Sequence, residues 1–458
     1  MVEGARLESE YTAKPYRGFE SLPLRHFHRH KRRMELRASR SGPLHGRADI
    51  PGDKSCSHRA LIFGALAQGE TRISGLLEAD DVSATMRAVE AFGAKVERQG
   101  GEWRLAGAEW RSPTGAIDCG NSGTSARLIM GAAAGFRLTA TFTGDTSLSA
   151  RPMRRVTQPL ERMGARFDGG ERLPLTLHGG GLGGIDLVNE PASAQVKSAI
   201  LLAGLQSQGP VTIREPVASR DHTEIMLREF GCDIAVDAGL TRLGEKRRLR
   251  GCDIPIAADP SSAAFALTAA AIVPGSSVEV RDLLANPLRT GLFEALEEMG
   301  AEVELSDERT RSGESVATLR IGNSNLKPIE VAATRIPAMI DEIPLLAIAA
   351  AFADGESAIH GLGELRHKES DRLGAIVAGL TDCGVTAVIL GDSLHVFGGA
   401  KVRGGARIAA QGDHRIAMAF AVLGLASDEP VIVDSAEMIG TSFPGFAETM
   451  RALGADIE

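Results

Sequence analysis

Residues Leu296–Leu305, LEEMGAEVEL, combine the end of an amphipathic helix, a glycine and a short alternating strand. Glycine at this point is typical of the left-handed residue just past a helix C-terminus. The same pattern recurs through the chain at nearly regular intervals. Its other copies are AVEAFGAKVE (88–97), LERMGARFD (160–168), LREFGCDIAV (227–236), LTDCGVTAVI (380–389) and MRALGADIE (450–458). The chain is therefore predicted to consist of six copies of one structural unit.

A second pattern accompanies the first and predicts a buried helix in each unit. It is a polar loop followed by a helix rich in alanine and leucine. Its copies are PGDKSCSHRALIFGALAQG (51–69), CGNSGTSARLIMGAAAG (119–135), PASAQVKSAILLAGLQSQG (191–209), ADPSSAAFALTAAAIVPG (258–275), IPAMIDEIPLLAIAAAFADG (336–355) and QGDHRIAMAFAVLGLASDE (411–429). Because these helices are apolar on nearly every face, they are expected to be buried all round.

A third pattern lies between the other two, where a strand ends in a charged loop that opens the amphipathic helix. Its copies are SGLLEADDVSATM (74–86), TGDTSLSARPM (143–153), EPVASRDHTE (215–224), VRDLLANPLRTG (280–291), HGLGELRHKESDRL (360–373) and VDSAEMIGTSFPGF (433–446). Each unit is therefore predicted as strand, buried helix, strand, amphipathic helix, strand and one further strand. This order defines an α/β fold with mixed sheets.

Six buried helices cannot share one core in a chain of 458 residues, so we expect two similar domains of three units each. The buried helices would lie inside each domain and the sheets outside. We place the continuous domain at residues 52–256 and the discontinuous one at 42–51 plus 257–458. Residues 1–41, which include a basic stretch, are expected to be a disordered leader or the product of a misassigned start, with Met34 as the alternative initiator.

Composition and charge exclude several classes of protein. The formal net charge is −8, so the chain lacks the basic character of a nucleic-acid-binding protein. The chain contains no run of about 18 consecutive apolar residues, so no membrane span is predicted. The five cysteines form no CxxC pair, which favours free thiols, a reducing cytoplasm and the absence of a zinc site.

The loops before the buried helices and the amphipathic helices are rich in cations and small polar residues, which indicates a site for anions. A helix N-terminus presents unpaired N–H groups and a partial positive charge, and aligned N-termini act together. The residues expected to add to this site are Lys54, Ser55, Arg59, Asn121, Gly123, Thr124, Arg127, Arg151, Ser193, Gln195, Lys197, Arg220, His222, Lys368, Arg372 and Arg415. Any one of them alone is more often a solvated surface group, so the prediction depends on their repeated placement at the same points of the unit.

Two acidic residues stand out among these cations. Asp341 precedes an apolar helix in IPAMIDEIPLLA, and Glu369 lies between Lys368 and Arg372. Carboxylates held near cations have displaced pKa values and serve as a general base or acid. The alternative for each is an ordinary acid in the first turn of a helix, which spacing alone does not exclude.

The chain also resembles the EPSP synthase (3-phosphoshikimate 1-carboxyvinyltransferase) family, and in particular its bacterial class II branch. The resemblance runs from about Gly42 to Glu458. The motifs that carry it are PGDKSCSHRALI, GNSGTSARL, DTSLSARPM, SAQVKSAILLAG, RDHTE, DPSSAAF, MIDEIPLLA, HKESDRL, GDHRIAM and TSFPGF. It implies the enolpyruvyl transferase fold, an inside-out α/β barrel of two domains with three βαβαββ units each.

The resemblance implies transfer of the enolpyruvyl group of phosphoenolpyruvate to the 5-hydroxyl of shikimate 3-phosphate, with release of phosphate and without a metal or other cofactor. The residues it assigns to shikimate 3-phosphate are Lys54, Ser55, Arg59, Ser193, Ala194, Gln195, Asp341 and Lys368. Those it assigns to phosphoenolpyruvate are Lys54, Gly123, Arg151, Gln195, Arg372 and Arg415. It makes Asp341 the base, Glu369 the acid and Lys54 a further catalytic residue. Small-molecule substrates would be the partners of a cytoplasmic monomer.

Three departures from the family pattern accompany this resemblance. Ala194 stands where many members have a second serine, Thr441 where other branches have a lysine, and Leu288 where class II members have a threonine. Gly123 stands where glyphosate-tolerant class II members have alanine, so inhibition by glyphosate is expected. The alternatives are a UDP-N-acetylglucosamine enolpyruvyl transferase, whose lysine motif carries Asn where this chain has Ser55, and a non-catalytic anion-binding scaffold.

Overall fold

The computed structural model describes residues 34–399 and 401–458. The strands are β1 (Leu36–Ser39), β2 (His45–Arg47), β3 (Glu70–Ser74), β4 (Lys95–Gln99), β5 (Glu102–Ala106), β6 (Ile117–Asp118), β7 (Thr139–Thr143), β8 (Arg166–Gly169), β9 (Leu175–His178), β10 (Ile185–Val188), β11 (Val211–Arg214), β12 (Ile234–Asp237), β13 (Leu240–Leu243), β14 (Asp253–Pro255), β15 (Ser277–Leu284), β16 (Glu302–Arg311), β17 (Glu314–Gly322), β18 (Glu330–Val331), β19 (Gly355–Ile359), β20 (Thr386–Leu390), β21 (Ser393–Gly398), β22 (Arg407–Ile408), β23 (Val431–Val433) and β24 (Asp456–Ile457).

The α-helices are α1 (Lys54–Leu66), α2 (Asp80–Phe92), α3 (Gly123–Ala134), α4 (Thr146–Ala150), α5 (Arg154–Met163), α6 (Ala194–Gly204), α7 (His222–Glu229), α8 (Pro260–Ile272), α9 (Gly291–Glu298), α10 (Ile343–Ala351), α11 (Arg372–Asp382), α12 (His414–Gly424) and α13 (Phe446–Ala452). Three 3₁₀ helices cover Ala333–Ala338, Gly363–His367 and Ala436–Thr441. Within the described residues, no helix is long and apolar enough to span a membrane.

The predicted unit is confirmed, because the described strands form six sheets of four strands each. The sheet β10-β11-β13-β12 is representative: β10 pairs with β11 in parallel, and β13 pairs antiparallel with both β11 and β12. Helix α6 connects β10 to β11, and α7 connects β11 to β12. This is the order β-α-β-α-β-β that the repeat predicts.

Two units exchange their first strands. Strand β2 precedes α1 in the chain but pairs with β15, which follows α8. Strand β14 precedes α8 but pairs with β3, which follows α1. The two crossing segments also contact each other, since Asp53 N–H donates to the carbonyl of Ala257 at 2.7 Å and Asp259 N–H donates to that of Pro51 at 2.9 Å. The beginnings of α1 and α8 are therefore tied together at this crossing.

The buried apolar residues form two hydrophobic cores. One contains α1, α3 and α6 and draws on residues 56–257 together with Leu284 and Val316. The other contains α8, α10 and α12 and draws on residues 36–48 and 263–457. Every residue of α8 and of α10 is buried, as their all-round apolar sequences predict. The sheets lie outside these helices and expose one face.

The repeated glycines close the amphipathic helices as predicted. Gly93 and Gly164 are the left-handed C-terminal caps of α2 and α5, with φ of 117° and 116°. The corresponding glycines of the other units also have positive φ and are Gly231, Gly300, Gly384 and Gly454. A side chain at such a φ would clash with the backbone, which is why glycine is the residue that recurs.

The expected leader is too long at its C-terminal end. Leu36 and Ala38 are buried, and β1 pairs with β23 on one side and β24 on the other. Strand β1 is thus an inner strand of the sixth sheet, between β23 and β24, and it comes from the beginning of the described chain. Its alternating pattern is only four residues long and adjoins a basic stretch, so no boundary is visible in the sequence. The remainder of the predicted leader, residues 1–33, lies outside the described residues.

Candidate active site

A cleft of about 580 Å³ collects the N-termini of all six buried helices. The lining residues at or just before those N-termini are Lys54 and Ser55 of α1, Thr124 of α3, Ser193, Ala194 and Gln195 of α6, Asp259 and Ser261 of α8, Asp341 before α10, and His414 and Arg415 of α12. Each such end carries a partial positive charge and unpaired N–H groups. The predicted convergence of helix N-termini on one site is confirmed.

Short polar side chains define where these helices begin. Ser122 accepts a hydrogen bond from Ser125 N–H at α3, and Ser193 accepts one from Val196 N–H at α6. Asp53, Asp259 and Asp413 do the same at α1, α8 and α12. A cap satisfies one of the free N–H groups and fixes the start of the helix, and with it the direction of the side chains in the first turn.

Almost all of the residues predicted for the site line this cleft. They are Lys54, Ser55, Arg59, Arg151, Ser193, Ala194, Gln195, Asp341, Lys368, Glu369, Arg372 and Arg415. Gly123 lies just behind the lining, as the first residue of α3. A β-carbon on Gly123 would come within 2.6 Å of Arg127 Nη1 and 3.4 Å of Arg151 Nη1, so this glycine keeps two guanidinium groups close to the backbone.

Asp341 lies at the centre of four cations. Its Oδ2 accepts a hydrogen bond from Arg220 Nη2 at 2.7 Å, and its Oδ1 lies 3.4 Å from Lys368 Nζ and 3.3 Å from Arg372 Nη1. Arg415 Nη2 lies 4.0 Å from Oδ2. Burial opposes ionisation of Asp341, but these cations outweigh it and hold its pKa well below the usual range. Asp341 is therefore an ionised carboxylate and a potential proton acceptor.

Glu369 has similar surroundings and shares Arg372 with Asp341. It forms an ion pair with Arg372 and accepts from Arg151 Nη1 at 3.4 Å. Burial raises its pKa, whereas Arg372, Arg151, His414 and Lys368 lower it, and the net effect places the pKa well below the usual range. Arg372 is itself almost fully buried and donates from Nε to Asp413 at 2.7 Å. Its position is therefore fixed by the protein before any ligand enters.

Other predicted binding residues are held by contacts within the protein. Lys54 forms an ion pair with Asp81, and Arg59 donates from Nε to Thr223 and from Nη2 to Ser198, both at 2.7 Å. Gln195 Oε1 accepts from Arg127 Nη1 at 2.7 Å. These contacts leave the guanidinium and ammonium groups oriented into the cleft with N–H groups to spare.

Two of the expected cleft cations are elsewhere, and their prediction was wrong. Lys197 is buried beneath the cleft lining, with Nζ 2.7 Å from both Glu215 Oε2 and Glu224 Oε1. His222 is fully buried, and its Nδ1 lies 2.7 Å from Glu314 Oε1. The partner of His222 is distant along the chain. The partners of Lys197 lie in the loop after β11 and in α7, so the loop pattern alone could not reveal them.

Sequence reasoning missed Arg289, Arg155 and His414, all of which line the cleft. Arg289 donates from Nη1 to Asp53 at 2.8 Å and from Nη2 to Asp259 at 3.1 Å, so it joins the caps of α1 and α8. The sequence does contain a signal for Arg289. This residue lies in the charged loop before α9, which corresponds to the loop before α7 that carries Arg220.

One group of potential metal ligands occurs among the described residues: Asp53, Cys56 and His222. It does not suit a metal ion. Arg289 already donates to Asp53 and lies 3.1 Å from His222 Nε2, and burial raises the pKa of the Cys56 thiol. A guanidinium occupies the place where a metal would need to be.

Comparison with known proteins identifies the family. The family model described as EPSP synthase (3-phosphoshikimate 1-carboxyvinyltransferase) matches residues 39–450. A protein of that name from Caulobacter vibrioides is 52% identical over 435 residues, covering 92% of this chain and 98% of the relative. A namesake from Methylorubrum populi is 53% identical over 436 residues, covering 91% of this chain and 96% of the relative.

Solved structures agree with this match. The EPSP synthase of Acinetobacter baumannii is 39% identical, with a TM-score of 0.82, and the alignment covers 93% of this chain and 99% of that one. The enolpyruvyl transferase NikO from Streptomyces tendae has a TM-score of 0.75 at 18% identity and covers 93% of this chain and 98% of its own, which shows the shared fold alone. The predicted enolpyruvyl transferase fold is confirmed, and the chain belongs to the EPSP synthase family.

Proposed function

We propose that this chain transfers the enolpyruvyl group of phosphoenolpyruvate to the 5-hydroxyl of shikimate 3-phosphate and releases phosphate. The observation that carries the proposal is the cleft itself: six helix N-termini and a surplus of Lys and Arg surround two carboxylates. Two multiply anionic substrates repel each other in water. Fixed cations on both sides remove that repulsion and hold the reacting atoms together.

The binding residues divide between the two substrates. Shikimate 3-phosphate is assigned to Lys54, Ser55, Arg59, Ser193, Ala194, Gln195, Asp341 and Lys368. Phosphoenolpyruvate is assigned to Lys54, Gly123, Arg151, Gln195, Arg372 and Arg415. Ser193 and Arg59 belong to the region of α1 and α6, whereas Arg372 and Arg415 belong to α11 and α12, so each substrate also has groups of its own. Lys54 is shared, since its ammonium is a point charge that serves both anions.

The proposed chemistry needs one base and one acid. Asp341, already ionised, accepts the proton of the 5-hydroxyl as that oxygen bonds to C2 of phosphoenolpyruvate. Glu369 delivers a proton to the C3 methylene in the same addition, which gives a tetrahedral adduct. Expulsion of phosphate from C2 and loss of a proton from C3 then restore the double bond. Lys54 stabilises the negative charge on the phosphate throughout.

Glu369 must acquire its proton before it acts as an acid. In the empty cleft, Arg372 and Arg151 keep it ionised. When phosphoenolpyruvate brings its own negative charges to these same cations, their hold on Glu369 weakens and its pKa rises. Binding of the substrate thereby prepares the acid that the reaction uses.

Two domains that correspond to the two cores are part of the proposal, with residues 52–256 in one and 42–51 plus 257–458, together with β1, in the other. The cleft lies where the cores meet, so each substrate contacts residues from both. We further propose a cytoplasmic monomer that acts on small molecules without a cofactor.

The test is an assay of phosphate release from phosphoenolpyruvate in the presence of shikimate 3-phosphate. Release that requires both compounds, with formation of the enolpyruvyl product seen by mass spectrometry, is the expected result. A parallel reaction with UDP-N-acetylglucosamine as acceptor tests the alternative transferase. Release with that acceptor and none with shikimate 3-phosphate would refute the proposed function, and no release with either would favour the non-catalytic scaffold.

A further inference from the structure

A buried ionic cluster lies directly behind the cleft lining, and the proposed chemistry makes no use of it. It consists of Lys197, Glu215 and Glu224, whose side chains are 2%, 5% and 1% exposed. Lys197 Nζ lies 2.7 Å from a carboxylate oxygen of each glutamate. Burying these charged groups costs free energy that burying hydrophobic side chains of similar size would not cost. Stability alone therefore does not explain why the cluster is present.

Glu215 is the centre of this cluster. Its Oε1 accepts hydrogen bonds from Asn189 Nδ2 and from the Ser219 hydroxyl, both at 2.6 Å. Its Oε2 accepts from Lys197 Nζ at 2.7 Å and faces Ser219 N–H at 3.4 Å. All four partners are donors, and an ionised carboxylate is the side chain of this size that accepts from all of them.

The hydrogen bonds of Glu215 lead to two loops of the cleft. Asn189 also donates to the carbonyl of Ser193 at 3.0 Å, and Ser193 caps α6 and lines the cleft. On the other side, Lys197 Nζ donates to the carbonyl of Ser219 at 3.3 Å. The next residue, Arg220, reaches into the cleft and donates to Asp341. One buried carboxylate is thus connected to both loops through short, directional contacts.

We infer that Glu215, held by Lys197, is a positioning residue that fixes the separation of Ser193 and Arg220 and so sets the affinity for the phosphate of shikimate 3-phosphate. The inference rests on the proposed function. It predicts an effect on one substrate alone, because the cations assigned to phosphoenolpyruvate are held by other groups. Arg372 is held by Asp413 and Arg415 by Glu342, whereas the hydrogen bonds given for Glu215 are to Asn189, Lys197 and Ser219.

Glu224 provides a matched control inside the same cluster. It is equally buried and contacts Lys197, but among the described residues no hydrogen bond joins its carboxylate to either loop. Glu215→Gln replaces one carboxylate oxygen by an NH2 group whose N–H bonds face other donors, whereas Glu224→Gln makes the same substitution beside Lys197 without a hydrogen bond to either loop. The comparison therefore separates positioning of the loops from the general effect of altering a buried charge.

The experiment measures the dissociation constant of shikimate 3-phosphate by calorimetry and KM for both substrates in the wild type and in both variants. Glu215→Gln is expected to weaken shikimate 3-phosphate by about tenfold or more while KM for phosphoenolpyruvate stays within about twofold. Glu224→Gln is expected to leave both values near those of the wild type. Equal effects of the two variants, or a parallel rise of both KM values, would overturn the inference.

A second variant covers the case in which Glu215→Gln does not fold. Asn189→Leu is close in size and breaks only the link from Glu215 to Ser193, with the Lys197 ion pairs intact. It is expected to weaken shikimate 3-phosphate severalfold, again without a change for phosphoenolpyruvate, and unchanged affinity would refute the inference. A wild type that binds shikimate 3-phosphate but forms no product would refute the proposed function and leave this binding comparison valid.

Discussion

Two charge clusters, one in the cleft and one buried behind its lining, have opposite balances of charge. In the cleft, Asp341 and Glu369 are outnumbered by the cations around them. In the buried cluster behind the lining, Glu215 and Glu224 outnumber the one ammonium of Lys197. A surplus of positive charge attracts anionic ligands, whereas a lysine with two carboxylates has no charge left to offer. The balance of partners, more than the presence of a lysine, separates a binding site from an internal support.

The strongest test of this contrast removes the lysine from each cluster. Lys197→Met leaves two buried carboxylates without a cation and is expected to lower the free energy of unfolding by about 3–5 kcal/mol. Lys54→Met, which exposes Asp81 to the open cleft, is expected to cost much less stability but to abolish ligand binding. Urea unfolding and calorimetric titration with shikimate 3-phosphate measure the two effects. Similar losses of stability in both variants would show that the two clusters do not differ as described.

The next effect in size concerns turnover. Asp341→Asn and Glu369→Gln each remove a group assigned to proton transfer while keeping its shape, so turnover is expected to fall by ~10²-fold or more with smaller changes in binding. Asp371→Asn is the matched control, because Asp371 lies two residues beyond Glu369, is half-exposed and caps α11, a contact that asparagine retains. Turnover within threefold of wild type in both cleft variants would contradict the assignment.

The charge surplus of the cleft also predicts a proton balance. Because Arg372 and Arg151 hold the pKa of Glu369 well below the usual range in the free protein, Glu369 is ionised at neutral pH. Its pKa rises when phosphoenolpyruvate shares those cations, so binding is accompanied by uptake of protons relative to a protein that lacks this group. Calorimetry at pH 7 in buffers of different ionisation enthalpy measures the number of protons. The wild type is expected to take up more protons on binding than Glu369→Gln does. Identical numbers of protons would mean that Glu369 stays ionised.

The sequence predicts those parts of the molecule that depend on local rules. A glycine after an amphipathic helix and an apolar helix after a polar loop are both short-range signals, and both were sufficient to place the repeated unit. The cleft residues followed because all six loops before the buried helices meet at one place. The prediction for Lys197 was wrong because this lysine lies in the first turn of α6, and its partners Glu215 and Glu224 come from a loop and a helix further along the chain.

Long-range pairing accounts for what remained hidden. The position of strand β1 depends on its pairing with β23 and β24, which lie near the other end of the chain. The exchange of β2 and β14 between units depends on how the chain crosses between the two cores. Arg289 joins the caps of α1 and α8, which no spacing in the sequence connects. Each of these features requires the folded arrangement of distant segments.

The smallest expected effect tests the phosphoenolpyruvate side of the cleft at Gly123. A methyl group there would come within 2.6 Å of Arg127 Nη1, so that guanidinium must shift and its contact with Gln195 must loosen. The shift narrows the space beside Arg151, which crowds glyphosate more than the shorter phosphoenolpyruvate. Gly123→Ala is therefore expected to weaken glyphosate by at least ~1.4 kcal/mol, about tenfold, and to affect phosphoenolpyruvate less.

Thr441 bears on the same measurement, since its hydroxyl donates to the carbonyl of Met438 at 2.7 Å and brings no charge to the inhibitor. The charges expected to bind glyphosate in the wild type are then those of Lys54, Arg151, Arg372 and Arg415, none of which Gly123→Ala removes. Gly115→Ala is the control, because Gly115 is an exposed loop glycine with open space around its Cα. The measurement is the inhibition constant of glyphosate against phosphoenolpyruvate for each protein. Equal constants for the wild type and Gly123→Ala would show that the Arg127 side chain moves aside without narrowing the space for the ligand.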